Sequence, residues 1–229
     1  MSTKSYDQIE QKKKGSGKAR LVITGAALLV FVLVAYMVQT GRTASFDHAV
    51  DYAVYSLRGP VTNAFFSRFT HIGDGVCIVG FLAVLLILPR TRWPVGIPAA
   101  VTGAIGFGLY KILKTSFARP RPDSSLHLIQ QGGYSFPSGH SMNVMICLGV
   151  VIFLFWRWMQ RSEGVSRRTV TIMMVVLAAL ILGIGFSRIF VGVHFVTDVL
   201  GGWSMGFAYL LSATVIIDRV LEKKEVLNG

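Results

Sequence analysis

Hydrophobic and polar positions alternate along this chain in long blocks. Apolar runs cover 21–39, 75–89, 94–113, 141–156, 169–186 and 197–217, and polar or basic connections separate them. Such runs predict bilayer-crossing helices, for which about 20 residues suffice. Six of them make an all-α integral membrane bundle, with no second domain. Gly103, Gly106 and Gly108 in the third run, and Gly183, Gly185, Gly201, Gly202 and Gly206 in the last two, predict close helix approach at the centre of the bundle.

Residues 1–20 are polar and basic, with Lys12, Lys13, Lys14, Lys18 and Arg20 just ahead of the first run. They look like the start of a signal peptide. The run that follows is long enough to span and shows no small-residue cleavage site, so it is expected to stay as the first helix. The chain then divides into a basic tail (1–20), a six-helix domain (21–217) and a C-terminal tail (218–229). Within the domain, 41–74 fits no clean span. Phe46, Ala49, Val50, Ala53, Val54 and Leu57 recur at helical spacing opposite Asp47, His48 and Asp51; Pro60 interrupts; Val61, Phe65, Phe69 and Ile72 form a second stripe. Short amphipathic helices at the outer interface and an ordinary packed surface loop both satisfy this pattern.

A charged fraction of 15% and a mean hydropathy of +0.57 exclude an ordinary soluble domain. The net charge of +12 raises nucleic-acid binding, but the basic residues lie between apolar runs and not along one polar face, so no nucleic-acid partner is expected. Their distribution sets orientation instead. With the N-terminus inside, segments 1–20, 90–93, 157–168 and 218–229 hold 15 of the 23 Lys and Arg residues. Both termini are then cytoplasmic, and connections 114–140 and 187–198 open on the outer face. Short connections and the lack of an Asn-x-Ser/Thr sequence suit a bacterial plasma membrane. Cys77 and Cys147 sit inside apolar runs without metal-ligand spacing, which predicts free, buried thiols.

Three polar segments on that outer face carry chemistry. His194 and Asp198 share a face if the last helix starts near them. A carboxylate that accepts one ring N–H fixes the tautomer and leaves the other nitrogen free to attack. Pro137-Ser138-Gly139-His140 precedes the fourth run, so Ser138 can cap a helix, Gly139 can present a bare N–H to an anion, and His140 stands at the rim as a proton donor. Lys111 and Lys114 close the third run, and two X-Pro steps extend the chain so that Arg121 projects across the bundle mouth. Arginine offers phosphate a planar fork and lysine a point charge. Taken singly, these segments also read as a polar cap, a turn and a basic membrane anchor. Arg119 and His127 are expected as solvated loop residues near a headgroup, and Trp93, Trp156, Trp158 and Trp203 as an interfacial belt.

Lys114, Arg121 and Pro122, then Pro137 to His140, then Ser187, Arg188, His194 and Asp198 resemble the three signature motifs of the type 2 phosphatidic acid phosphatase superfamily, with that family's internal spacings. The resemblance implies a membrane lipid phosphatase. His194 would be the nucleophile, Asp198 its orienting carboxylate and His140 the acid for the leaving oxygen. Lys114, Arg121, Arg188, Ser138 and Gly139 would bind phosphate. Three fixed cations, without a carboxylate cluster, predict metal-independent activity with no cofactor.

The expected substrates are membrane lipid phosphates: phosphatidylglycerophosphate, phosphatidic acid or undecaprenyl pyrophosphate. A lipid phosphotransferase would use the same residues. Vanadium haloperoxidases resemble the site too, but are typically soluble. A transporter or flippase ranks lower, because the ionisable groups gather at one mouth and not at the midplane.

Overall fold

The computed structural model describes residues 3–161 and 166–228. Helices account for nearly all of them: α1 (Thr3–Gln39), α2 (Ala44–Tyr55), α3 (Pro60–Phe69), α4 (Gly75–Ile87), the short turn α5 (Pro89–Thr91), α6 (Ile97–Phe117), α7 (Gly139–Arg161), α8 (Arg167–Phe190) and α9 (Val196–Asn228). Among the described residues, five stretches are long and apolar enough to cross a membrane: Gly17–Gln39, Pro89–Phe117, Gly139–Gln160, Arg167–Phe190 and Val196–Leu221. The chain is thus a multi-pass membrane protein.

The second expected span differs from the other five. Pro60–Gly73 and Gly75–Ile87 qualify only as a pair, bent by 51°. Asp74 sits at the break with extended backbone, between two glycines. The third span begins as a wide π turn over Arg92–Gly96. That turn contains Pro94, which lacks a donor for the helical ladder.

Helix α7 is the centre of the bundle. It packs on α6, α8 and α9, while α1 lies along α9. Its Val144, Val150, Val151 and Leu154 join Leu82, Val95, Leu177, Ile181 and Ile184 in the main core. Leu29, Val32 and Leu33 of α1 face outward, as a helix against lipid tails does. Of the eight glycines expected at packed positions, all but Gly108 press on a neighbouring element. Gly185 receives the Trp203 ring, so this indole lies between α8 and α9 instead of in the interfacial belt. Cys147 is buried as expected, whereas Cys77 is exposed on α4.

Segment 41–74 is largely helical, as the amphipathic pattern allows, and α2 turns its acidic side inward. Asp47 and Asp51 are buried, while Phe46, Tyr52 and Leu57 are exposed. Both carboxylates find donors inside, Val54 packs beside them in the core with Val50 against it, and the exposed apolar residues are left for the interface. Arg58 clamps the α2–α3 corner to the end of α8, donating Nε and Nη2 to the Phe190 carbonyl at 3.0 and 2.7 Å. Helix α1 starts within the stretch read as a polar tail and runs on into the span. The side chains of Lys12, Lys13 and Lys14 and of residues 222–229, and the connection 162–165, lie outside the described residues.

Candidate active site

Local backbone signals place the three motifs. Helix α6 ends at Ala118, which adopts left-handed φ 46° and donates its N–H to the Lys114 carbonyl. The next two X-Pro steps hold the chain extended, so Arg119 and Arg121 reach inward from the mouth. Helix α8 carries Ser187 and Arg188 in its last turn. Gly192 (φ 78°) then reverses the chain, packed so tightly on the Leu126 carbonyl that no side chain fits. His194 follows on this turn, and Asp198 stands in the first turn of α9. Ser138 caps α7 as expected, its Oγ accepting from Ser141 N at 3.4 Å, a long bond.

His194 and Asp198 are both fully buried, and Nδ1 lies 3.3 Å from Oδ2. On its other side, Nε2 lies 3.1 Å from Arg121 Nη1. A guanidinium only donates, so Nε2 must be the acceptor and Nδ1 must carry the ring proton, directed at Asp198. Burial lowers the His194 pKa well below its ordinary value, and Arg121, Arg188, Lys114 and His140 push it the same way. The imidazole is therefore neutral at pH 7, with its lone pair on the cavity side.

Three cations stand on the same wall, and their contacts are with neutral groups. Arg188 is 1% exposed and donates to Thr70 Oγ1 at 2.8 Å and Gln131 Oε1 at 2.6 Å. Its Nε has no partner among the described residues. Arg121 donates to the carbonyls of Gly132, Gly133 and Val193. Lys114 rests its ammonium 5.2 Å from the centre of the Tyr110 ring. A buried cation with neutral partners is incompletely compensated, and a multivalent anion is what completes it.

Lys114, Arg121, Arg188, Gly139, His140 and His194 all line one cavity of about 790 Å³. Between α4 and α6 the lining is largely apolar, with Ile78, Val79, Leu82 and Leu86 of α4 and Ala100, Ala104 and Phe107 of α6; Thr115, Gln131, Tyr134 and Asn143 add polar groups elsewhere. Ser138 and Asp198 stand behind the wall. The Ser138 hydroxyl is fully buried and bonded to Ser141 Oγ at 2.9 Å, so the 137–140 motif meets the cavity through Gly139 and His140.

Several residues that contact these side chains carry no signal in the motifs. Arg119 is no solvated loop residue: it donates to Asp198 Oδ1 and Asp47 Oδ2, both at 2.7 Å, and to Thr197 Oγ1 at 2.9 Å. Asp47 also accepts from Thr197 N, and Asp51 from Val196 N. Ser135 Oγ donates to the Asp198 oxygen that faces His194. His140 Nε2 lies 2.8 Å from Asp74 Oδ1. A sparse cue existed: acidic residues are few, and several stand beside apolar stretches. His127 makes a local contact with the Pro122 carbonyl.

Residues 93–221 match the PAP2 superfamily model. The chain belongs to the PAP2 superfamily. It is 32% identical over 181 residues to phosphatidylglycerophosphatase B of Bacillus subtilis (strain 168), covering 78% of this chain and 86% of that one. It is also 31% identical over 133 residues to an undecaprenyl-diphosphatase of Sulfolobus acidocaldarius, covering 54% and 55% respectively. Its fold resembles the crystal structure of the Bacillus subtilis transmembrane PAP2-type phosphatidylglycerolphosphate phosphatase, with a TM-score of 0.75 at 25% identity, over 86% of this chain and 96% of that one. A second structural neighbour is Aquifex aeolicus LpxE, with a TM-score of 0.55 at 25% identity, over 72% and 93%. The chain is thus a membrane protein of a lipid phosphatase family. Asp47, Asp51 and Asp74 fall outside the matched PAP2 region.

Proposed function

We propose that this protein hydrolyses a phosphomonoester or pyrophosphate of a membrane lipid through a phosphohistidine at His194. The observation that carries this reading is one cavity with two ends. A buried, neutral imidazole and three incompletely compensated cations occupy one end, and apolar walls of α4 and α6 form the other. Phosphatidylglycerophosphate, phosphatidic acid and undecaprenyl pyrophosphate all combine such a head and tail.

The steps follow from the geometry. Arg121, Arg188 and Lys114 draw the phosphate oxygens in, and Arg121 turns its N–H from His194 Nε2 to the substrate. Nε2 attacks phosphorus as the bond to the leaving oxygen breaks, and that oxygen takes a proton from His140. Asp198, accepting from Nδ1–H, stabilises the positive ring. Water, losing its proton to His140, then attacks phosphorus; the P–N bond breaks, phosphate leaves and His194 is restored. The Gly139 N–H at the start of α7 adds a donor for the phosphate oxygens. The fixed cations supply the charge neutralisation that a metal supplies elsewhere, so turnover is metal-independent. The uneven Lys and Arg distribution supports cytoplasmic termini and a site on the outer face of the plasma membrane.

The test is phosphate release in detergent from a panel of lipid phosphates and pyrophosphates, with chelator present, for wild type and His194→Ala. Release by wild type, absent in the variant, together with an acid-labile phosphoenzyme, is expected. Release that survives His194→Ala overturns the phosphohistidine route, and strict magnesium dependence overturns the metal-free one.

A further inference from the structure

We infer that Asp74 is a positioning residue for His140, so that the cavity is served by two aspartate–histidine dyads, Asp198–His194 for the nucleophile and Asp74–His140 for the acid. The inference rests on the phosphatase reading above and adds a residue that lies outside the region matched to the family.

Three observations carry it. First, Asp74 occupies the N-cap position of α4, where an aspartate ordinarily accepts from the helix's first N–H groups, yet its side chain makes no capping bond. Its carboxylate is turned away: Oδ1 lies 2.8 Å from His140 Nε2, and Oδ2 lies 2.8 Å from His71 Nδ1. Second, the neighbouring Gly73 holds the His140 ring by shape. A Cβ at position 73 would sit 2.9 Å from His140 Cδ2 and 2.6 Å from Ile184 Cγ2, so only glycine lets the ring lie flat there. Third, both residues stand at the 51° break between Pro60–Gly73 and Gly75–Ile87, where the Thr70–Gly73 turn packs on α7.

The chemistry gives the contact its purpose. An ionised carboxylate only accepts, so Nε2 of His140 carries a proton and Nδ1 is the nitrogen left to exchange one with substrate. The acid must be an imidazolium, and its cavity neighbours Lys114, Arg121 and Arg188 are cations, with His194 across the site. Asp74 supplies a counter-charge in direct contact with the ring. When the His194–phosphorus bond forms and the ester bond breaks, the Nδ1 proton moves to the departing oxygen, while Asp74 retains the Nε2–H bond and the ring orientation. His71 occupies the second carboxylate oxygen and restrains it.

Leaving-group dependence separates this role from a structural one. Phosphatidic acid releases an alcohol that needs a proton; p-nitrophenyl phosphate releases a phenolate that does not. In Asp74→Asn, kcat/KM for phosphatidic acid is expected to fall by roughly 10- to 100-fold and that for p-nitrophenyl phosphate by much less. Adding Asp74→Asn to His140→Ala is expected to cost little further, because both act through one proton. Equal losses on the two substrates, or losses that add in the double variant, would assign Asp74 to the start of α4 alone and overturn the inference. Absence of phosphate release by wild type would instead overturn the phosphatase reading itself.

Discussion

Arg119 and Asp198 meet at 2.7 Å inside the protein, and the other arm of the same guanidinium holds Asp47 at 2.7 Å. The carboxylate behind His194 is thereby tied to an amphipathic helix far away in sequence. Arg119→Met would leave two buried carboxylates without their counter-charge. Breaking a buried pair from one side costs about 3–5 kcal/mol, so a large fall in detergent melting temperature is expected. Arg119→Met/Asp47→Asn should recover part of that loss. A single variant as stable as wild type would argue that the bridge is idle.

Arg121 reads both the nucleophile and, by our proposal, the phosphate. Lysine keeps the charge but loses the fork that spans Val193, His194 and the 132–133 carbonyls. For Arg121→Lys, mixed-micelle kinetics should show kcat lowered on the order of 10²-fold, with a smaller effect on KM. A change confined to KM would make Arg121 a ground-state anchor only.

Gly139 lies under Tyr110. A Cβ there would stand 2.6 Å from Cζ and 2.7 Å from Oη of that ring, which in turn supports Lys114. Gly139→Ala should displace ring and ammonium together and lower activity on the order of 10²-fold, the usual cost of misplacing a contact by about 1 Å. Thermal stability should change little, since Tyr110 can swing into the cavity. Unchanged turnover would mean that the ring yields without disturbing Lys114.

Asp51 ties stability to pH. Its pKa is raised from 3.8 to about 7, chiefly by burial and then by the neighbouring Asp47 charge. The folded protein therefore keeps a proton that the unfolded chain has lost. Stabilisation from this group is complete below the ordinary value and disappears as pH rises through about 7. His194, with a lowered pKa, contributes a slope of opposite sign, so the comparison must be made within one background. Between about pH 5 and about pH 8, the melting temperature of Asp51→Asn should fall less steeply than that of wild type; parallel profiles would remove Asp51 from the account.

Much of the site was legible in the chain, because the motifs combine short spacings with strong backbone signals. Two X-Pro steps, a glycine turn and a helix start fix where Arg121, His194 and His140 stand. The apolar runs likewise announced the bundle, and the small residues announced its tight contacts. What remained hidden depends on pairing between distant elements. The pattern of α2 gave a helix with an acidic side, but nothing local said that this side turns inward to Arg119 and Thr197. The run at 75–89 gave a span but not its break, since α4 has 13 residues and reaches span length only together with Pro60–Gly73 across the bend. Trp203 lay near a predicted end, where a belt position and a buried slot opposite Gly185 look alike in sequence.

The apolar half of the cavity has a kinetic consequence. Its walls belong to α4 and α6, and Val79 and Phe107 on those walls are exposed. A lipid that enters between these helices never leaves the two-dimensional phase in which it is dissolved. Turnover should then follow the mole fraction of substrate among the surrounding lipids. Inert lipid or detergent would act as a diluent at constant total substrate, and a concentration quoted per litre would not define the saturation of the enzyme.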